Sequence, residues 1–183
     1  MDSFNTGTIV LNEVNTARLS HTVSQVELCA KPFTSTVHDN ASITHFYLIL
    51  ISSQLWGLWQ RLQLDIMCSW QNDVVTPEVT VTGRDCIPTG THIDRVLSFP
   101  LLRTDISAGD LLELITGAGL DNVTVNANNA ACGRFCFQAL QTFADAGLIE
   151  GDWAEEAYEW HTDIGVASEG LGATMIDEDI INL

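Results

Sequence analysis

The chain has 183 residues, 46% of them hydrophobic and 17% charged, and its 24 acidic side chains face only seven basic ones, for a formal charge of -17. That length and apolar content are ample for one buried core. So negative a surface repels phosphate backbones and anionic headgroups, which argues against nucleic acid and membrane surfaces as partners.

The first hundred residues read as strands. Residues 8–14 and 23–30 alternate loosely, with Val10, Val23, Val26 and Leu28 as inward candidates, and Lys31-Pro32 closing the second segment. Residues 43–51 form the strongest strand, with Ile43, His45, Tyr47 and Ile49 on one face and Thr44, Phe46, Leu48 and Leu50 on the other. Both faces are mostly apolar, which places this strand centrally. Residues 60–68 alternate more cleanly: Leu62, Leu64, Ile66 and Cys68 oppose Arg61, Gln63 and Asp65, the pattern of a strand with one wet face. Residues 79–81 and 93–99 supply two more, separated by the turn-rich Ile87-Pro88-Thr89-Gly90.

From residue 107 the period changes. Ser107-Ala108-Gly109-Asp110 is a capping-box start to a helix carrying Leu111, Leu112, Leu114 and Ile115, with Gly117 and Gly119 as its stop. A short strand at 123–125 precedes a second helix, which begins after Asn128-Asn129 and ends at Gly147. Its stripe of Cys132, Phe135, Cys136, Ala139, Leu140 and Phe143 has the spacing of a core-facing side. A third helix is capped by Asp152, has Glu155 and Glu156 in its first turn and buries Trp153, Ala157 and Trp160. Strands first and helices after predict a single α+β domain: an antiparallel sheet of about six strands followed by three packing helices. Residues 1–105 are then mainly strands, 106–164 mainly helices and 165–183 an acidic tail.

No lysine or arginine follows Arg134. The acidic C-terminal part reads as a solvated face, with a docking surface for a basic partner or a weak divalent-cation site as the alternatives. Five cysteines, Cys29, Cys68, Cys86, Cys132 and Cys136, form no zinc framework, so reduced thiols are expected and no metal. The opening Met1-Asp2-Ser3-Phe4-Asn5 has neither the basic nor the apolar region of a secretory signal. The longest near-apolar run, 46–51, is too short to span a bilayer. A soluble cytoplasmic protein is expected.

Two places can hold chemistry. His45 stands in an apolar strand, so its ring nitrogens either meet local polar partners or face a cavity, and Tyr47 shares its face. Cys132 opens a helix, where the positive end of the macrodipole favours thiolate. An inert core cysteine fits that apolar stripe equally well. Trp56 and Trp59, in the connection between the two best strands, suit the wall of an apolar pocket. His92 and Asp94 read as exposed, His161 as a cap to the third helix, and Asp65, Asp85 and Asp94 as ordinary surface acids. No glycine-rich phosphate loop is present.

The order of a His45-Phe46 strand and a helix opened by Cys132-Gly133-Arg134-Phe135 is similar to permuted papain-like thiol enzymes of the lecithin:retinol acyltransferase and NlpC/P60 type. A polar third member after the histidine is not evident. Over a longer stretch, from about Ser42 to Glu159, the chain resembles a group of small fungal proteins through Thr44-His45-Phe46-Tyr47-Leu48, Ser107-Ala108-Gly109-Asp110-Leu111-Leu112 and Gly133-Arg134-Phe135. In that group a cysteine can precede the Arg-Phe pair; Gly133 holds that place here. Proteins of this type occur in natural-product clusters, some as cofactor-free cyclases of the norbornene-forming Diels-Alderase kind.

That second resemblance implies a cyclase acting on an apolar terpenoid or polyketide intermediate, without cofactor. His45, Tyr47 or Arg134 would donate a hydrogen bond to the substrate, and Trp56, Trp59 and Phe135 would shape the pocket. The first implies a cysteine hydrolase or acyltransferase using His45 and Cys132. A non-catalytic protein binding a small molecule is the third expectation.

Overall fold

The structure is a computed structural model describing residues 9–12, 14–34, 42–52, 61–71, 74–84, 95–122 and 131–167. Within them, alternation at period two yields six strands: β1 (Val10–Asn12), β2 (Val23–Thr34), β3 (Ser42–Ser52), β4 (Arg61–Gln71), β5 (Val74–Arg84) and β6 (Arg95–Pro100). They form one sheet in the order β1-β5-β4-β3-β2-β6. Three helices follow, α1 (Ala108–Gly117), α2 (Ala131–Asp145) and α3 (Trp153–Ala167). The chain is a single α+β domain, as its strands-then-helices order predicts.

The sheet is mixed and not wholly antiparallel, because β1 runs parallel to β5, with Val10 opposite Thr80 and Asn12 opposite Thr82. No hairpin joins these two strands, so nothing local imposes opposite directions. β2 does not stop at Lys31-Pro32 but continues to Thr34 against β3. On its other side β6 pairs only from Gln25 to Ala30, so Pro32 stands where that ladder has ended and its missing N–H is tolerated. β5 likewise runs well beyond 79–81, with Pro77 outside the stretch that β1 covers.

One face of the sheet carries the main core. Val26, Leu28, Leu48, Leu50, Leu62, Leu64, Val79 and Val81 are all buried and pack with Leu111, Ile115, Phe137, Leu140 and Phe143 from the helices. The opposite face carries a smaller buried cluster of Cys29, Tyr47, Ile49 and Ile51. The buried polar residues include Glu27, Asp65 and Thr80, with Ser52 and Asp121 besides. The expectation of a wet face on β4 therefore fails at Asp65, whose neighbours on both sides are paired strands.

The helix ends follow their predicted chemistry. Ser107 caps α1 with a full capping box: the Asp110 amide donates to Ser107 Oγ at 3.1 Å and the Ser107 amide to Asp110 Oδ2 at 2.8 Å. Beyond α1, Gly119 takes φ 73°, and after α2 Gly147 takes φ 67°, each in the left-handed region that spares glycine a Cβ clash. The Leu148 amide then donates back to the Phe143 carbonyl at 2.9 Å. α3 runs on to Ala167, so His161 stands in its middle and is no C-terminal cap, and the first residues of the supposed tail are helical. The segment 123–125, the Ile87–Gly90 turn and residues 168–183 lie outside the described residues. No described helix is long and apolar enough to cross a membrane.

Candidate active site

Strand periodicity puts His45 and Tyr47 on one face of β3 and turns Phe46 to the helices. The described β3–β4 ladder runs from Ile51–Arg61 to Leu48–Leu64, and His45 and Asp65 both lie just past its end. There His45 Nε2 approaches Asp65 Oδ1 at 2.8 Å, with the two side chains 32% and 11% exposed. Oδ1 is buried and meets no well-aligned donor, so the contact is an ion pair that the ring N–H enters off-axis. Gln63 Nε2 donates to the second oxygen, Oδ2, at 3.1 Å and fixes the plane of the carboxylate.

Cys132 arrives from the other direction, in the first turn of α2, half-buried at the rim of the main core. It is hydrogen-bonded to His45 and accepts from the backbone amides of Phe46 and Gly133. With Nε2 on Asp65, Nδ1 is the ring nitrogen left for the sulfur. Burial pushes the thiol up, but the His45 hydrogen bond, the two amides and the His45 charge together carry it below its ordinary value. The His45 pKa is raised from 6.5 to about 10, first by the close contact of its ring N–H with Asp65 and then by the hydrogen bond to Cys132, with burial opposing and both charges adding. At neutral pH the ring is an imidazolium, held between the Asp65 carboxylate and a sulfur whose pKa lies below its ordinary value.

Tyr47 backs this arrangement. It is 7% exposed and stacks on His45, with ring centroids 6.1 Å apart and planes inclined by 28°. Cys136, one turn along α2, is fully buried, and burial drives its thiol well above the ordinary range, so it is a packing residue. Arg134 is exposed on α2. Phe135 is 3% exposed and lies within the main core. Trp56, Trp59, His92, Asp85 and Asp94 lie outside the described residues. Among the described residues no group of three or more His, Cys, Asp or Glu side chains is placed to hold a metal ion.

His45, Tyr47 and Cys132 stand out in the sequence, whereas Asp65 reads there as an ordinary surface acid and Gln63 as part of a wet strand face. The only signal for them is that both share one alternating face of β4. No protein-family model, curated protein or solved structure matches the chain.

Proposed function

We propose that this protein is a cysteine-dependent acyl-transfer enzyme, a hydrolase or acyltransferase in which Cys132 is the nucleophile. The reading is carried by one observation: a single imidazole, His45, joins a buried carboxylate to a helix-opening thiol. Nucleophile, base and orienting group in hydrogen-bonded sequence are what acyl transfer through a weak nucleophile requires. In chain order they run His45, Asp65, Cys132, so Asp65 supplies the polar third member that the permuted papain-like resemblance calls for.

In the reaction the Cys132 thiolate attacks the substrate carbonyl and forms the C–S bond. The carbonyl electrons move to oxygen, where the amides of the first turn of α2, which have no partner within the helix, are the donors at hand. As the intermediate collapses, the bond to the leaving group breaks and His45 gives that group its proton. Water or an acceptor hydroxyl or amine then returns a proton to His45 and attacks the thioester, which frees the acyl product and restores the thiolate–imidazolium pair. Asp65 acts through His45 as a positioning residue.

The test is alkylation of the folded protein by iodoacetamide as a function of pH, with the modified residue identified by mass. One fast thiol is expected, with a midpoint below the free-thiol value of about 8.5. Cys132→Ala should abolish it, together with acyl-enzyme formation from p-nitrophenyl acetate. Uniformly slow thiols, unchanged in Cys132→Ala, would overturn the reading.

A second reading uses the same ring without covalent chemistry. With the Cys132 side chain turned off the ring, His45, one-third exposed and protonated over the neutral range, can donate the freed N–H to a substrate carbonyl in a cofactor-free cyclase of Diels-Alderase type. Such an enzyme needs positioning more than apparatus, and an apolar terpenoid or polyketide intermediate fits it. Turnover surviving Cys132→Ala and lost in His45→Leu would select this reading over the first.

A further inference from the structure

Resting on the thiol reading, we propose that Lys31 sets substrate specificity, anchoring a carboxylate carried by the acyl substrate beside the carbonyl that Cys132 attacks. Lys31 is the only lysine in the chain. The β2–β3 register places it directly opposite His45. Directly opposed residues of an antiparallel pair project from the same face, with Cβ atoms about 4.5–5.5 Å apart. Lys31 is exposed, and it stands just past Ala30, where the β6 ladder ends and the outer side of β2 opens.

A chain with 24 acidic residues has many places where an ammonium would find a carboxylate. No ion pair holds Lys31 among the described residues. A carboxylate on the substrate can take the partner's place beside this ammonium, on the face that His45 shares. The substrate side of the balance agrees, because the site belongs to a chain of formal charge -17, in which cations are few. An anionic substrate needs a local cation to enter it. Lys31 offers one compact point charge without the fork of an arginine, which suits a singly charged carboxylate.

The experiment compares two alkylating probes on the full chain, anionic iodoacetate and neutral iodoacetamide, and reads the adduct at Cys132 by mass. The ratio of the two rates is taken within each protein, so changes in intrinsic thiol reactivity cancel. Lys31→Met is expected to lower the iodoacetate-to-iodoacetamide ratio by about three-fold, the effect of one exposed charge several ångströms away. Lys31→Arg should restore it, and about 1 M salt should abolish the preference in the parent chain. An unchanged ratio in Lys31→Met would overturn the inference and leave Lys31 as a solubilising residue at the sheet edge. If Cys132 reacts with neither probe faster than a free thiol, the acyl-transfer reading fails instead and takes this inference with it.

Discussion

Asp65→Asn isolates the charge of the ion pair from its shape, since the amide fills the same volume and keeps an oxygen for Gln63. Asp65 is the first cause of the rise in the His45 pKa from 6.5 to about 10. At about 1.4 kcal/mol per unit, the whole rise corresponds to roughly 4–5 kcal/mol. His45 is 32% exposed and shares the effect with Cys132, so solvent screening leaves about 2 kcal/mol for the Asp65 charge. The sign follows from linkage. A folded-state pKa above the unfolded value stabilises fully below about 6.5 and loses that stabilisation as pH rises through about 10. Cys132, lowered in the fold, contributes with the opposite slope, present above its unfolded value and lost as pH falls through its folded one. Urea unfolding of both proteins should therefore differ by about 2 kcal/mol near pH 6, with the gap closing towards pH 10. The His45 ring resonance should titrate about 1–3 units lower in Asp65→Asn. A stability gap that stays constant across this range, or an unmoved ring titration, would refute the ion-pair account.

Two further outcomes test the frame that carries the site. Ser107→Ala removes the Oγ that accepts from the Asp110 amide and donates to Asp110 Oδ2, leaving only the backbone arm of the capping box, and should destabilise the protein by about 1 kcal/mol, read as a lower urea midpoint with unchanged slope. Cys136→Ser puts a hydroxyl into the apolar core in place of a fully buried sulfur, and an unpartnered hydroxyl there costs about 1–3 kcal/mol. That variant should leave the Cys132 alkylation rate nearly unchanged, and a large fall would assign Cys136 a part in the chemistry.

The fold was legible where one period ruled a segment. Ser107 and Asp110 announce α1, and the stripe through Cys136, Ala139, Leu140 and Phe143 announces α2, because local geometry alone decides which residues share a helix face. The strand extents were less legible at Pro32 and Pro77. Whether a proline ends a strand depends on whether a neighbour needs its N–H, and that neighbour is set by topology. The site was half legible for the same reason. His45 stands out as a polar residue in an apolar strand, and Cys132 as a thiol at a helix start. Asp65 looks like any polar residue on an alternating strand. Only the β3–β4 register turns its face into the face of His45, and no local pattern encodes that register.

The placement of these groups separates what folds the chain from what the chain can do. The continuous core lies on the helix side of the sheet and includes neither His45 nor Asp65. A buried carboxylate paired with an imidazole is weak evidence for stability, because desolvation offsets much of the attraction. Leucine or valine at both positions would suit the strand periodicity equally well. The pair stands where the β3–β4 ladder stops and the first turn of α2 brings in the thiol, with Gln63 holding the far oxygen of Asp65 and Tyr47 stacked on the ring. Each of those contacts restricts the imidazole to one orientation, the one that faces sulfur. Residues that contradict the local rule of an apolar strand, and are then held this closely, are what the proposed acyl-transfer site would require of the fold.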